Sequence, residues 1–202
     1  MAQASVLTDP EIRRVFRIIE TTRHADRNRL AFVLSLYAGL RVGEIAALTI
    51  GDVLTQKGEV RREIKLDPRQ TKGSKGRTVV LSSRVRTEIV EYVRTHRIQR
   101  HDAPLISSQR NASAFSNVTL SMLFKEIYEL AGIRTSSHSG RRTFATRLNA
   151  RGVGMRTIQK LMGHSETGRM SAFTPIAAEK RTSRRVRLVP IGGIALGQRP
   201  SW

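Results

Sequence analysis

Five residues of this chain, Arg41, Lys72, His138, Arg141 and His164, have types and surroundings suited to handling a phosphate diester. Breaking such an ester in line requires a nucleophile, stabilisation of the charge that builds on the phosphorus oxygens, and a proton for the departing oxygen. Two guanidiniums can grip the non-bridging oxygens through paired N–H donors, a geometry that lysine cannot match. Arg41 and Arg141 suit that clamp. Their wide separation in sequence is what a clamp built from two elements requires. His138 stands one helical turn before Arg141, so both are expected on one helix face. It can hold a phosphate oxygen or act as general base. His164 follows Gly163 and can hydrogen-bond the same phosphate. Lys72 lies in the turn Lys72-Gly73-Ser74-Lys75-Gly76, where it can reach a leaving 5′ oxygen as general acid.

Each residue also has an ordinary reading. Arg41 with Glu44 can be a surface pair three residues apart on a helix. A lysine in a hairpin turn can simply be solvated. His-x-x-Arg recurs by chance, and Gly163-His164 can be a plain helix C-cap. All of these would have to hold together, in this order.

The composition favours a polyanionic partner. There are 36 Lys and Arg against 16 Asp and Glu, a formal net charge of +20. A field of that size repels itself in the compact state unless an anion neutralises it. The basic residues run along the whole chain, which implies a long electrostatic footprint. Lys72 and Lys75 on the turn, with Arg142 and Arg147 after the His-x-x-Arg step, are the expected DNA-backbone contacts; such contacts position more than they specify. A basic RNA- or ribosome-associated protein is the other reading of the charge. Against it, aromatic residues are only 5% of the chain, too sparse for a base-stacking sheet. With no cysteine, disulfides, thiolate metal sites and a cysteine nucleophile are excluded. No histidine pair has zinc-site spacing, and no apolar run approaches a membrane span. The expected setting is cytoplasmic, at the nucleoid.

The elements that must position these residues are mostly helical. Thr8-Asp9-Pro10-Glu11 reads as a capping box opening a helix over 8–20, with Ile12, Val15, Phe16 and Ile19 on one stripe. Leu30 to Ala38 is apolar almost all round, which predicts a buried helix ended by Gly39. A short helix, Val42 to Leu48, follows Arg41. Val60–Leu66 and Arg77–Leu81 read as two antiparallel strands joined by the lysine-bearing turn. Further helices are predicted over 83–97, 118–131, 138–151 and 155–162. A long polar loop is expected from Arg100 to Ser116. The fold class is therefore mainly α with a small antiparallel β-sheet (α+β). After Ser165 the periodicity fades into an arginine-rich run, Lys180 to Arg187. The expected organisation is a domain over 1–165 and an atypical basic tail over 166–202, mobile unless a partner orders it.

Four stretches then carry a family resemblance: Leu40-Arg41-Val42-Gly43-Glu44-Ile45-Ala46-Ala47-Leu48, Thr71-Lys72-Gly73-Ser74-Lys75-Gly76-Arg77, His138-Ser139-Gly140-Arg141-Arg142-Thr143-Phe144-Ala145-Thr146, and Ile158-Gln159-Lys160-Leu161-Met162-Gly163-His164-Ser165. Together they resemble the catalytic domain of the tyrosine recombinase (phage integrase) family, over roughly residues 5 to 165. The resemblance implies that Arg41, Lys72, His138, Arg141 and His164 are catalytic. It implies a 3′-phosphotyrosyl intermediate formed without metal or nucleotide cofactor, and tetramers acting on two DNA duplexes. It also implies a nucleophilic tyrosine nine residues after His164, where this chain has Phe173. A phenyl ring cannot attack phosphorus. The resemblance therefore implies site-specific DNA recombination defective in cleavage, with a catalytically inactive DNA-binding protein as the alternative. Phe173 is an engineered substitution, a natural loss, or the sign of a tail out of register. Many relatives carry an additional N-terminal helical domain that completes a clamp around DNA. This chain starts at the catalytic domain, as a fragment or as the short fimbrial-switch recombinases do.

Overall fold

Helix α1 spans Asp9–Thr21 and α2 spans Ala25–Ala38 in a computed structural model that describes residues 4–68, 76–98, 100–108 and 113–163. The capping box forms. Glu11 accepts the Thr8 backbone N–H at 2.7 Å, and the Thr8 hydroxyl accepts the Glu11 N–H at 3.4 Å. Such a cap stabilises a helix start by about 1 kcal/mol. Helix α2 is buried from Leu30 to Leu36, and it packs against α1 and several later helices. It starts five residues earlier than its apolar run predicts. The polar first turns carry a forked pair from Arg29 to Glu88 on a neighbouring helix, at 2.6 and 2.9 Å. Apolar periodicity alone does not reveal such a contact.

The short helices α3 (Val42–Ala47) and α4 (Ile50–Val53) follow. Four residues are too few to show a period, and the sequence reading missed α4. Strands β1 (Glu63–Leu66) and β2 (Arg77–Val80) pair antiparallel in the register Ile64↔Val79 and Leu66↔Arg77. Ile64, Leu66 and Val79 are buried, while their neighbours along the strands face outward, the alternation expected of a one-sided sheet. Helices α5 (Ser83–His96), α6 (Asn117–Leu130), α7 (Ser139–Ala150) and α8 (Met155–Met162) complete the order. Phe32 of α2 stacks edge-on against Phe16 of α1 and Tyr128 of α6, and this cluster ties the helices into one core.

The segment expected as a polar loop is partly core. Leu105 and Ile106 are fully buried. Leu105 N–H donates to the Leu48 carbonyl at 2.8 Å, and Ile50 N–H to the Ala103 carbonyl at 2.9 Å. Two apolar residues in a polar stretch are too short a signal to read as an element.

Candidate functional site

The turn after α2 sets the site. Gly39 adopts φ +66°, and a Cβ there would run into the Phe144 ring of α7. Its carbonyl accepts from Arg141 Nη1 at 2.5 Å. One glycine thus ends α2, seats α7 and fixes an arginine. Gly39→Ala is expected to lower stability by about 2 kcal/mol or more, since left-handed backbone costs an L-residue roughly 1–2 kcal/mol before the clash is counted. Urea melts of the two proteins check this; equal midpoints would mean that the turn is not tight.

Glu44 is the hub. It lies in the first turn of α3 and is 1% exposed. It accepts the Arg41 backbone N–H at 2.7 Å and Arg41 Nη1 at 2.7 Å. Arg77 at the start of β2 donates to both its oxygens, at 3.2 and 2.6 Å. Arg141 Nη1 stands 3.8 Å away. Burial by itself would raise the Glu44 pKa. The hydrogen bond and charge of Arg77, the Arg41 N–H and the Arg141 charge outweigh it and hold the carboxyl below its ordinary value. The Arg41–Glu44 pair therefore exists as spaced, but it is interior chemistry rather than a solvated surface pair.

Arg141 is 6% exposed, and it donates to the Met162 carbonyl as well as to Gly39. Burial first, then the charges of Arg41 and Arg77, push its pKa down to about 9, with Glu44 pulling the other way. Three guanidiniums surround one carboxylate. The cluster carries an excess of two positive charges, which an anion would relieve.

His138 differs from Arg141 in setting. It is the exposed residue before α7, on the rim of an open cleft of about 1100 Å³ lined by Val118, Met122 and residues 133–137. The helical spacing places the two on neighbouring turns, but only the arginine is interior. Arg142 donates to the Ala4 carbonyl at 2.7 Å, and Arg147 pairs with Asp9, so both hold the N-terminal segment against α7. Lys72, Lys75, His164 and Phe173 lie outside the described residues, as does the expected boundary at 165. Tyr128 and Tyr92 are packed, and burial pushes both phenols up. Sequence reasoning missed Glu44 as the hub and Arg77 as its main partner. The available signal was a lone acid in the otherwise apolar stretch Val42-Gly43-Glu44-Ile45-Ala46-Ala47.

Among the described residues no group of His, Cys, Asp and Glu is arranged to hold a metal ion, and no helix is long and apolar enough to cross a membrane.

Residues 5–179 match the model of the phage integrase family. The chain belongs to this family. Among related integrase-family proteins, it is 33% identical over 195 residues to tyrosine recombinase XerA of Pyrococcus furiosus, covering 93% of this chain and 64% of the relative. It is 29% identical over 185 residues to tyrosine recombinase XerD of Rickettsia conorii, covering 82% of this chain and 60% of the relative. The chain thus spans less than two thirds of the length of these relatives. A crystal structure of XerA recombinase superposes with a TM-score of 0.65 at 24% identity, over 82% of this chain and 56% of that one. The XerH recombinase bound to its difH substrate superposes with a TM-score of 0.61 at 22% identity, over 81% and 48%. These likenesses establish the integrase catalytic-domain fold, mainly helical with one small sheet.

Proposed function

We propose that this chain is the catalytic domain of a site-specific DNA recombinase that binds duplex DNA and clamps the scissile phosphate, with cleavage impaired because Phe173 occupies the nucleophile position. The observation that carries this reading is the buried cluster of Arg41, Arg77 and Arg141 around the single carboxylate of Glu44. A phosphodiester supplies the missing negative charge, and its transition state supplies more. In this reading Arg41 and Arg141 bind the non-bridging oxygens, and His138 and His164 hydrogen-bond the same group. Lys72 protonates the leaving 5′ oxygen. Lys72, Lys75, Arg142 and Arg147 contact the DNA backbone. No metal or nucleotide cofactor takes part. The domain extends over 1–165, with 166–202 as a separate basic tail. The active assembly is a tetramer on two duplexes, in the cytoplasm at the nucleoid. The likeness to XerH, a site-specific recombinase bound to its difH substrate, supports DNA as the partner.

The test is an SDS-resistant protein–DNA adduct assay on the DNA flanking the coding sequence, comparing this chain with Phe173→Tyr. An adduct only with the variant is expected, because a hydroxyl there restores the nucleophile. Retained DNA binding with no adduct from either protein would favour the second reading that Phe173 allows, a protein that grips DNA without cutting it.

A further inference from the structure

The proposed chemistry gives Arg77 no part, yet its side chain is only 7% exposed and joins three elements. Two of its nitrogens grip Glu44 on α3. Its Nη1 donates to the Leu161 carbonyl in the last turn of α8 at 2.5 Å. The next two carbonyls of that turn are taken by the clamp arginines. Met162 accepts from Arg141 and from Arg41 (3.3 Å), and Gly163 accepts from Arg41 at 3.4 Å. Three guanidiniums thus hold three consecutive carbonyls at the negative end of one helix. Gly163, at φ +60°, passes so close to Arg77 that a Cβ there would meet its side chain. His164 follows directly in sequence, and Lys72 precedes Arg77 on the connection between β1 and β2.

We propose that Arg77 is a positioning residue. It locks the Glu44 carboxylate and the end of α8 in register, so that Arg41 and Arg141 present their remaining N–H groups to one phosphate. The inference rests on the phosphate-clamp reading above. Its mechanism is geometric. A planar fork that satisfies both carboxylate oxygens and a carbonyl fixes three elements at once, whereas an ammonium of equal charge fixes none of them in angle. An arginine that served only as a structural ion pair would affect folding without affecting the clamp. An arginine that touched the anion itself would act independently of Glu44.

The experiment is a titration with inorganic phosphate at constant ionic strength, followed by 31P NMR, on proteins that thermal melts show to be folded at the working temperature. The variants are Arg41→Ala, Arg77→Lys, Glu44→Asp and the Arg77→Lys/Glu44→Asp double. Both Arg77→Lys and Glu44→Asp keep every charge. Each is expected to weaken phosphate roughly tenfold, the scale of one charge-assisted hydrogen bond. The double variant is expected to lose little more than either single one, because both break the same link. Wild-type affinity in Arg77→Lys would overturn the inference, as would losses that simply multiply in the double variant. Should Arg77→Lys fail to fold, Glu44→Asp, which loosens the same fork, decides alone: wild-type affinity would overturn the inference. If the wild type binds phosphate no better than Arg41→Ala does, the clamp reading itself falls and this inference falls with it.

Discussion

Glu44→Gln is expected to lose about 3–5 kcal/mol of stability, the usual cost of stripping the partner from a buried charge. That is a large part of the roughly 5–15 kcal/mol that holds an ordinary domain together. The neutral amide keeps the shape and leaves Arg41, Arg77 and Arg141 facing one another without a carboxylate. It also replaces one of the two acceptor oxygens of the Arg77 fork, which joins β2 to α3, with an N–H donor. The loss carries a pH signature. In the folded protein the Glu44 carboxyl lies below its ordinary value of 4.5, so the unfolded chain binds a proton there more readily than the native one. Its contribution is therefore fully present above the unfolded pKa and fades as pH falls through the folded pKa. Urea melts at neutral pH and at successively lower pH should show the wild type losing stability on the acid side. Glu44→Gln should be weak throughout and lack that component of the slope. A glutamine variant that melts with the wild type would mean that the three arginines do not depend on this carboxylate.

The second large effect concerns DNA. Arg41→Ala is expected to reduce duplex-DNA affinity by roughly tenfold or more, since a hydrogen bond to a charged group contributes about 1.5–3 kcal/mol. The slope of log affinity against log salt should fall by about one, as for any removed phosphate contact. Arg141→Lys tests the same clamp differently. The charge remains, so the salt slope should hold, while the lost fork weakens binding. Lysine suits this position better than alanine as a probe, because Arg141 also bonds the Gly39 and Met162 carbonyls, and an alanine would strip the Gly39 carbonyl of that donor and leave Met162 with the longer bond from Arg41. Fluorescence anisotropy over a salt series measures both variants. Should Arg41→Ala change neither affinity nor slope, the excess charge of the cluster serves something other than phosphate.

The cluster also predicts the behaviour of the free protein. Burial and the charges of Arg41 and Arg77 bring the Arg141 pKa down to about 9, which leaves it charged at neutral pH but less favourably than a free guanidinium. In the proposed reading, a bound phosphate would offset part of the cost of burying that charge.

What the sequence determined by itself is local and periodic. The capping box at Thr8 and Glu11 sets the start of α1, and the all-round apolar run from Leu30 marks the buried helix. The alternation around Ile64 and Val79 gives the sheet. These are legible because neighbouring residues decide them. The family itself was legible in the same way, from short motifs in a fixed order. Only the tertiary structure decided what Arg41 and Arg141 touch. Glu44 lies three residues from Arg41, but its main partner, Arg77, comes from another element, and Arg141 reaches carbonyls at the ends of α2 and α8. Such contacts join segments far apart in the chain, so no window of sequence contains both halves. The same reason explains the early start of α2 and the buried Leu105-Ile106 pair, each of which bonds a partner distant in sequence, whereas α4 has a local Thr49–Asp52 cap and is too short to show a period.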